Sequence, residues 1–189
     1  FSLTSNIVWG ADYSKGLDAF ESKDYTSALR EWKQLAIQGD ADAQFNLGVM
    51  YSKGQGVPQD YETAAQWYTS AAELGNDSAQ INLGWMYEKG YGVLQNYETA
   101  AMWYKLAAEQ GNPNAQNNLG WMYENGYGVL QNNIYAHMWG NISAFNGYKK
   151  GGNLRERVAK KMTSAEISIA QKLASECESK KYKDCLLNH

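Results

Sequence analysis

The sequence predicts an all-α protein, an α/α superhelix (solenoid) in which antiparallel helix pairs stack along the chain. Three observations predict this fold. A segment of 36 residues recurs along the chain, apolar residues within each copy are spaced as on one face of an α-helix, and a glycine-rich turn separates the two helical stretches of each copy. A period in the mid-thirties is typical of helical hairpins that bury their apolar faces against one another.

The first ten residues precede the helical pattern and allow two interpretations. Residues 1–10 are apolar and lack an initiator methionine, and Val8 and Gly10 before Ala11 are residues that signal peptidase tolerates at its cleavage site. On this reading, residues 1–10 are the end of a signal peptide. The alternative is a short extra N-terminal segment that packs on the first helices.

Residues 11–38 predict a helical hairpin that caps the N-terminal end of the array. A short polar turn at residues 22–24 divides it, and Tyr25, Ala28 and Gly39 align with Tyr61, Ala64 and Gly75 of the next copy. The hairpin lacks the glycine-rich turn. Such departures are expected of a terminal repeat, which has only one neighbour to pack against.

Residues 39–146 contain three repeats. Comparison of residues 75–110 with 111–146 gives about 22 identities in 36 positions. The first helix of each repeat carries an Ala-Leu-Tyr stripe with four-residue spacing. The stripe comprises Ala43, Leu47 and Tyr51, then Ala79, Leu83 and Tyr87, then Ala115, Leu119 and Tyr123. A glycine in a helix costs up to about 1 kcal/mol relative to alanine, so we expect a neighbouring helix to approach closely at Gly48, Gly84 and Gly120.

The second helix of each repeat combines small residues with aromatic ones, which suits two interdigitating helix layers. Its members are Ala64, Trp67, Tyr68, Ala71 and Ala72 in the first repeat and Ala100, Trp103, Tyr104, Ala107 and Ala108 in the second. The third copy departs from this pattern, because Gly140 stands where the others have tyrosine. The packing of the third repeat against the C-terminal region of the chain is therefore left open by the pattern.

Residues 147–189 predict a C-terminal cap and tail. Residues 153–178 have the pattern of two helices, and residues 163–166 match the capping box that opens a helix. This region holds 10 basic and 5 acidic residues, whereas residues 1–146 hold 7 and 15. Cys177 and Cys185 flank a polar stretch that can turn the chain back, so a local disulfide is feasible if their Cα atoms come within about 7 Å.

Composition and charge exclude two classes of protein. Seventeen Lys and Arg against twenty Asp and Glu give a net charge of -3, which argues against the basic surface that nonspecific DNA binding requires. The sequence contains no run of eighteen apolar residues, the minimum for a membrane-spanning helix. We therefore predict no nucleic-acid partner and no membrane span.

The residues needed for catalysis are scarce. The two histidines, His137 and His189, have no cluster of partners, and a lone histidine on a helix is more often structural than catalytic. Motifs of zinc proteases, serine hydrolases and dinucleotide-binding loops are absent, and two cysteines are too few for a zinc site without further ligands. We predict that the protein is not an enzyme and needs no cofactor or metal.

The repeat unit resembles a known family. Ala-Gln-x-Asn-Leu-Gly-x-Met-Tyr, followed by Gly-x-Gly-Val and Ala-x-x-Trp-Tyr, is similar to the Sel-one-like repeat (SLR), a relative of the tetratricopeptide repeat. The resemblance covers residues 39–146 closely. It implies a tetratricopeptide-like superhelix that mediates protein–protein contacts, often as a bacterial adaptor or secreted factor. We therefore expect a non-enzymatic scaffold that binds a protein or peptide segment.

The resemblance to tetratricopeptide arrays also implies a concave groove, lined by first-helix positions that the packing stripe leaves over. These predicted groove residues are Phe45, Val49, Ile81, Trp85, Glu88, Asn117, Trp121 and Glu124. Trp85 and Trp121 are the strongest candidates, because tryptophan often anchors interfaces; the alternative is that they pack in the core between first helices. Glu88 and Glu124 favour a basic partner.

The resemblance bears on location and on a second function. The Cys-x7-Cys spacing is similar to that of secreted family members, which implies a disulfide between Cys177 and Cys185, and disulfides belong to oxidising compartments. We expect a periplasmic or secreted protein, with a cytoplasmic one as the alternative. Cysteine-rich relatives suggest the second function, binding of β-lactams or cell-wall fragments with weak hydrolase activity, although no Ser-x-x-Lys motif occurs.

Overall fold

The computed structural model describes residues 11–185, which form ten α-helices and no strand. The prediction for residues 1–10 lies outside this range. The helices are α1 (Tyr13–Glu21), α2 (Tyr25–Ile37), α3 (Ala41–Lys53), α4 (Tyr61–Glu73), α5 (Asp77–Lys89), α6 (Tyr97–Glu109), α7 (Pro113–Asn125), α8 (Asn133–Phe145), α9 (Lys149–Ala159) and α10 (Ser164–Ser179). None of these helices is long and apolar enough to cross a membrane.

Helices that are consecutive in the chain pack on one another, as predicted for stacked hairpins. The chain divides into two compact units, one ending at Ala79 and the other beginning at Gln80 within α5. In the first unit α1 packs on α2, α2 on α3 and α3 on α4; in the second, α6 packs on α7, α7 on α8 and α8 on α9. The all-α prediction and the helix pairs are confirmed.

Side chains of aspartate, asparagine and threonine begin the helices. The carboxylate of Asp60 accepts backbone N–H bonds at the start of α4, and the amide oxygens of Asn96 and Asn132 do so at the equivalent starts of α6 and α8. Thr163 and Glu166 form the predicted capping box of α10. These bonds satisfy N–H groups that have no partner within the helix, so these helix starts are determined locally by the sequence. Helix α9 differs, because its N-cap residue Tyr148 makes no side-chain cap bond.

The glycines inside the first helices are sites of close approach, as predicted. A Cβ atom added to Gly48 would lie 2.5 Å from Cδ1 of Tyr68, and one added to Gly84 would lie 2.8 Å from Cε1 of Tyr104. Both distances are too short for any side chain. The aromatic residue of the second helix therefore packs directly on the backbone of the first.

The third repeat achieves the same packing with a residue from the cap. A Cβ atom at Gly120 would lie 2.7 Å from Cδ2 of Leu154, which belongs to α9. Gly140, which replaces the tyrosine, lets α9 approach α8, because a Cβ atom there would lie 3.0 Å from the backbone nitrogen of Arg155. Gly140, the departure from the repeat pattern, is therefore the residue that allows α9 to pack on α8.

Helix α9 begins earlier than the sequence pattern suggests. The sequence pattern predicted helix from residue 153, but α9 begins at Lys149 and includes Gly151 and Gly152, which are poor helix formers. A Cβ atom at Gly151 would lie 2.6 Å from the side chain of Ser143 in α8. The glycine is required for helix packing rather than for a turn.

Candidate partner-binding surface

The eight predicted groove residues lie on α3, α5 and α7 and differ in exposure. Trp85 is exposed, with 40% of its surface accessible. Phe45, Val49, Ile81, Asn117 and Trp121 are half-buried, and Glu88 and Glu124 are buried. The set therefore divides into residues that reach the surface of their unit and two carboxylates that do not.

In the first unit, Phe45 lies beside the aromatic residue of the following helix. Its ring centroid is 5.9 Å from that of Tyr68, a distance typical of paired aromatic rings. Val49 is half-buried one helical turn further along α3. Each of these side chains therefore divides its surface between packing and solvent.

The two tryptophans of the second unit each contact a tyrosine of the Gly-Tyr-Gly turn that comes after their helix. Trp85 lies 5.0 Å from Tyr91 and Trp121 lies 5.2 Å from Tyr127, measured between ring centroids. Tyr127 also stacks on Tyr97 at 4.9 Å. Tyr91 and Tyr127 are 42% and 40% exposed, so aromatic surface is presented to solvent at both turns.

These contacts bear on the two interpretations of the tryptophans. Trp85 is on the surface, although its ring is held in place by Tyr91. Trp121 packs partly against the core of the second unit and also lines a cavity. Trp85 is therefore a surface residue, while Trp121 has both a core face and an open face.

Glu88 is held within the chain by two donors. The hydroxyl of Tyr104 donates to Oε2 at 2.9 Å, and Nζ of Lys89 lies 2.6 Å from Oε1. The bond to Glu88 raises the pKa of Lys89, and burial together with the nearby carboxylate raises the pKa of Tyr104 far above its ordinary value. A protonated Tyr104 and a charged Lys89 thus compensate the buried carboxylate.

Glu124 occupies the equivalent position in the third repeat, where no tyrosine is available. Arg157 donates from Nε and Nη2 to the carboxylate, at 3.0 and 2.6 Å to Oε1 and Oε2 respectively, and Nζ of Lys161 donates at 2.8 Å. Hydrogen bonds from Arg157 and then from Lys161 lower the pKa of Glu124 against the opposing effect of burial. The cap therefore supplies the donors that Tyr104 supplies to Glu88.

The expectation that Glu88 and Glu124 favour a basic partner needs correction. Both carboxylates are buried and already bonded to donors of their own chain. The sequence pattern placed them on the open face of the first helix, but Glu88 bonds to Tyr104 of α6 and Glu124 bonds to Arg157 of α9. Both carboxylates bond to neighbouring helices and are not presented to a partner.

A cavity of about 350 Å³ opens between α7 and α9. Its lining consists of Asn117, Trp121, Lys150, Asn153, Leu154 and Arg157. Asn117 and Trp121 were predicted as groove residues, whereas the other four come from the cap and were not. Their spacing along α9, at 150, 153, 154 and 157, is one helical face, and the excess of basic residues after position 146 is the signal that could have indicated them.

The histidines and cysteines of the described chain have no arrangement that indicates catalysis. His137 is buried in α8, and burial followed by the charge of Arg155 lowers its pKa, so its neutral form is favoured at neutral pH. His189 lies outside the described residues. Cys177 and Cys185 are joined in a disulfide with their Cα atoms 4.8 Å apart. Among residues 11–185 no group of His, Cys, Asp or Glu could hold a metal ion.

Comparison with known proteins identifies the repeats. The Sel1 repeat model matches residues 41–76, 77–112 and 113–146, more than half of the chain. No curated protein sequence matches the chain. The three matched segments coincide with the hairpins α3–α4, α5–α6 and α7–α8.

Two crystal structures show the same architecture. A Sel1 repeat protein from Oxalobacter formigenes is 29% identical, with a TM-score of 0.69 over 88% of this chain and 75% of the other. The protein c5321, a protective antigen of uropathogenic Escherichia coli strains that displays an SLR fold, is 27% identical with a TM-score of 0.57 over 92% of this chain. The present chain spans 46% of c5321. With three matched repeats and the fold of these relatives, the chain belongs to the Sel1 repeat family and is a tetratricopeptide-like solenoid of bacterial type.

Proposed function

We propose that the protein is a non-enzymatic scaffold that binds a segment of a partner protein on the open face of its first helices. Sel1 repeat proteins are generally protein–protein interaction scaffolds, and their fold is typically non-catalytic. The observation that carries the proposal is the exposed aromatic surface of the second unit, where Trp85 and Tyr91 pack on each other and remain about two-fifths accessible.

Exposed tryptophan contributes strongly to binding. Burying such a ring against a partner removes a large apolar area from water, which is why tryptophan and tyrosine are enriched among the residues that dominate binding energy. The contact with Tyr91 orients the Trp85 ring before binding, so less conformational entropy is lost on association. The same holds for Trp121, which contacts Tyr127.

The test is replacement of both tryptophans followed by capture of the partner. We expect Trp85→Ala combined with Trp121→Ala to abolish capture from an extract of the source bacterium, with the helical circular dichroism unchanged. Met102→Ala is the matched control, since Met102 is 47% exposed on α6, a second helix. Equal capture by the double variant and the control would refute the proposed surface. Loss of helicity would show that the two rings are needed for folding and would remove the site.

The alternative function, binding or hydrolysis of β-lactams or cell-wall fragments, has no support in the described chain. The cavity between α7 and α9 is lined by no serine, and a Ser-x-x-Lys motif is absent from the sequence. Incubation with a chromogenic β-lactam distinguishes the two functions. The scaffold function predicts no turnover.

We further propose that the protein works in the periplasm or outside the cell. The disulfide between Cys177 and Cys185 supports this location, because such bonds persist in oxidising compartments. Thiol titration of denatured, unreduced protein taken directly from cells is the test. We expect no reactive thiol, whereas two thiols would contradict the proposed location.

A further inference from the structure

The cavity between α7 and α9 combines positive charge with an apolar floor. Trp121 and the buried Leu154 supply the apolar surface, and Lys150 and Arg157 supply two cations. The side-chain amides of Asn117 and Asn153 add polar groups at the same opening. A volume of about 350 Å³ is enough for one or two side chains of a bound segment, at the small end of ligand pockets.

The positive charge of this site is not neutralised by its own chain. Glu124 carries one negative charge and receives two positive ones, from Arg157 and Lys161. Lys150 forms no ion pair among the described residues; its Nζ lies 5.9 Å from the ring centroid of Tyr148. Together these four groups leave a surplus of two positive charges beside the cavity.

Arg157 retains donors for a second carboxylate. A guanidinium has five N–H groups, and the bonds to Glu124 use Nε and Nη2. The side chain is 51% exposed, so the N–H groups of Nη1 remain accessible. Arg157 lines the cavity, and because Glu124 holds the guanidinium in one orientation, the side chain has little conformational freedom left to lose on binding.

The lysines at the start of α9 do not stabilise the helix in which they lie, which indicates another role. Lys149 and Lys150 occupy its first turn, where no acidic residue is present and where the helix macrodipole disfavours positive charge. The N-cap residue Tyr148 gives no side-chain hydrogen bond. Helix stability alone would favour Asp or Glu at these positions.

We propose that this cavity binds an acidic segment of the partner protein, with an Asp or Glu carboxylate between Lys150 and Arg157 and a neighbouring apolar side chain against Trp121 and Leu154. The inference rests on the proposed function and specifies the chemistry of the partner. It replaces the basic partner expected from Glu88 and Glu124.

The test uses an array of short synthetic peptides with acetylated and amidated ends, which exclude terminal charges. One arm places Asp or Glu beside Leu or Phe; two further arms replace the acidic residues by Asn or Gln and by Lys or Arg. We expect the full chain to select the acidic arm. Binding of a selected peptide should weaken as salt is raised, because exposed charges are screened.

Lys150→Glu is the decisive variant and Lys160→Glu its matched control. Both lysines are exposed and both changes alter the net charge equally, but Lys160 does not line the cavity. Lys150→Glu should weaken binding of the acidic peptide roughly tenfold or more, since like charges then face each other. A melting temperature that is unchanged or raised for this variant, which replaces a lysine at a helix N-terminus by a residue that the helix macrodipole favours, would exclude unfolding as the cause.

The outcomes separate this inference from the proposed function. Selection of the neutral or basic arm, lost on replacement of Trp85 and Trp121, would overturn the acidic partner and leave the scaffold function standing. Acidic binding unaffected by Lys150→Glu would overturn the assignment to this cavity. Binding of no arm, by a chain that also captures nothing from an extract, would refute the scaffold function itself.

Discussion

At the scale of single residues, two buried carboxylates join neighbouring helices. Glu88 and Glu124 stand 36 residues apart and are both buried, but they bind different donors. The first repeat has Ser52 at this position, with its hydroxyl 3.3 Å from that of Tyr68. In the first two repeats this position links the two helices of the repeat, through a hydroxyl pair or a tyrosine–carboxylate bond. In the third repeat it links α7 to the cap helix α9 through an arginine pair.

Glu124→Gln should destabilise the protein by about 1.5–3 kcal/mol, the range for hydrogen bonds that involve charged groups. The cost stays below that of breaking a fully buried pair, because Arg157 and Lys161 remain about half exposed and can be hydrated. Chemical denaturation of both proteins measures the difference. Glu73→Gln, at an exposed position on α4, should change the free energy of unfolding little.

The difference between wild type and Glu124→Gln should depend on pH. The pKa of Glu124 is lowered in the folded state, so the folded state releases this proton more readily than the unfolded state, where the pKa is about 4.3. The stabilisation is therefore complete above the unfolded pKa and declines as pH falls through the folded pKa. A difference that grew on acidification would contradict the ion pair.

At the scale of helices, the distance between backbones depends on glycines that lack a Cβ atom. Gly84 and Gly152 both lie within helices of the second unit, but a Cβ atom would have very different surroundings at the two positions. At Gly84 it would lie 2.8 Å from the Tyr104 ring, which is fully buried and bonded to Glu88. At Gly152 it would lie 3.9 Å from Cβ of Ala144, an ordinary contact.

Substituting alanine at these two positions should change stability in opposite directions. Gly84→Ala gains helix propensity but forces the Tyr104 ring to move, and overpacking of this kind costs about 1–3 kcal/mol. Gly152→Ala keeps the gain of up to about 1 kcal/mol without the clash. Thermal unfolding followed by circular dichroism compares the variants; stabilisation at both positions would show that α5 and α6 tolerate a wider separation.

The C-terminal cap completes the second unit through side chains that the repeats do not contain. Leu154 fills the space over Gly120, and Arg157 and Lys161 bind Glu124. Beyond α10, the Tyr182 hydroxyl donates to Asn146 at 2.9 Å, and the amide of Asn146 donates to Gln116 at 2.9 Å. In the second repeat the amide of Gln110 donates to Gln80 in the same way, so the tail is an addition to a bond that the repeats already use.

At the scale of the whole molecule, the constant period allows repeats to be removed without disturbing the register. Deletion of residues 75–110 joins Leu74 to Gly111, and Gly111 and Asn112 then replace Gly75 and Asn76. Asn76 and Asn112 make the same helix-start bond, to the backbone N–H groups of Ala79 and Ala115. The rejoined chain therefore retains a helix start of the original type.

We expect this deletion protein to be soluble and helical and to unfold cooperatively, with lower stability because an internal repeat and its interfaces are lost. Circular dichroism and thermal unfolding are the measurements. A deletion of eighteen residues, half a period, is the control. It breaks the alternation of first and second helices, so it should not fold. Folding of the control but not of the 36-residue deletion would refute the period.

Most of the fold could be predicted from the sequence because it depends on local and periodic features. The asparagine and aspartate helix starts act within one helix. The Ala-Leu-Tyr stripes and the glycines of the first helices act between helices that are neighbours in the chain. Repetition shows which of these positions carry packing, since Gly48 and Gly84 are retained where Tyr68 and Tyr104 press against them. The capping box of α10 is equally local.

The candidate site could be predicted only in part, because four of its six lining residues come from a segment that does not repeat. Asn117 and Trp121 were found from the repeat, whereas Lys150 and Arg157 come from α9, whose position is set by Gly120, Gly140 and Leu154. Periodicity contains no information about a segment that occurs once. The cap residues could be assigned to the site only when the helices were packed.

The sequence by itself therefore determined the helical hairpins, their register and the residues between their layers, since these follow from spacing along one chain. Only the tertiary structure decided the charge of the candidate site. It buried Glu88 and Glu124, whose carboxylates need donors once removed from water, and it brought Arg157 from 33 residues away to supply them. The free charge that remains beside Trp121 is positive, because the cap brings more cations than Glu124 can neutralise.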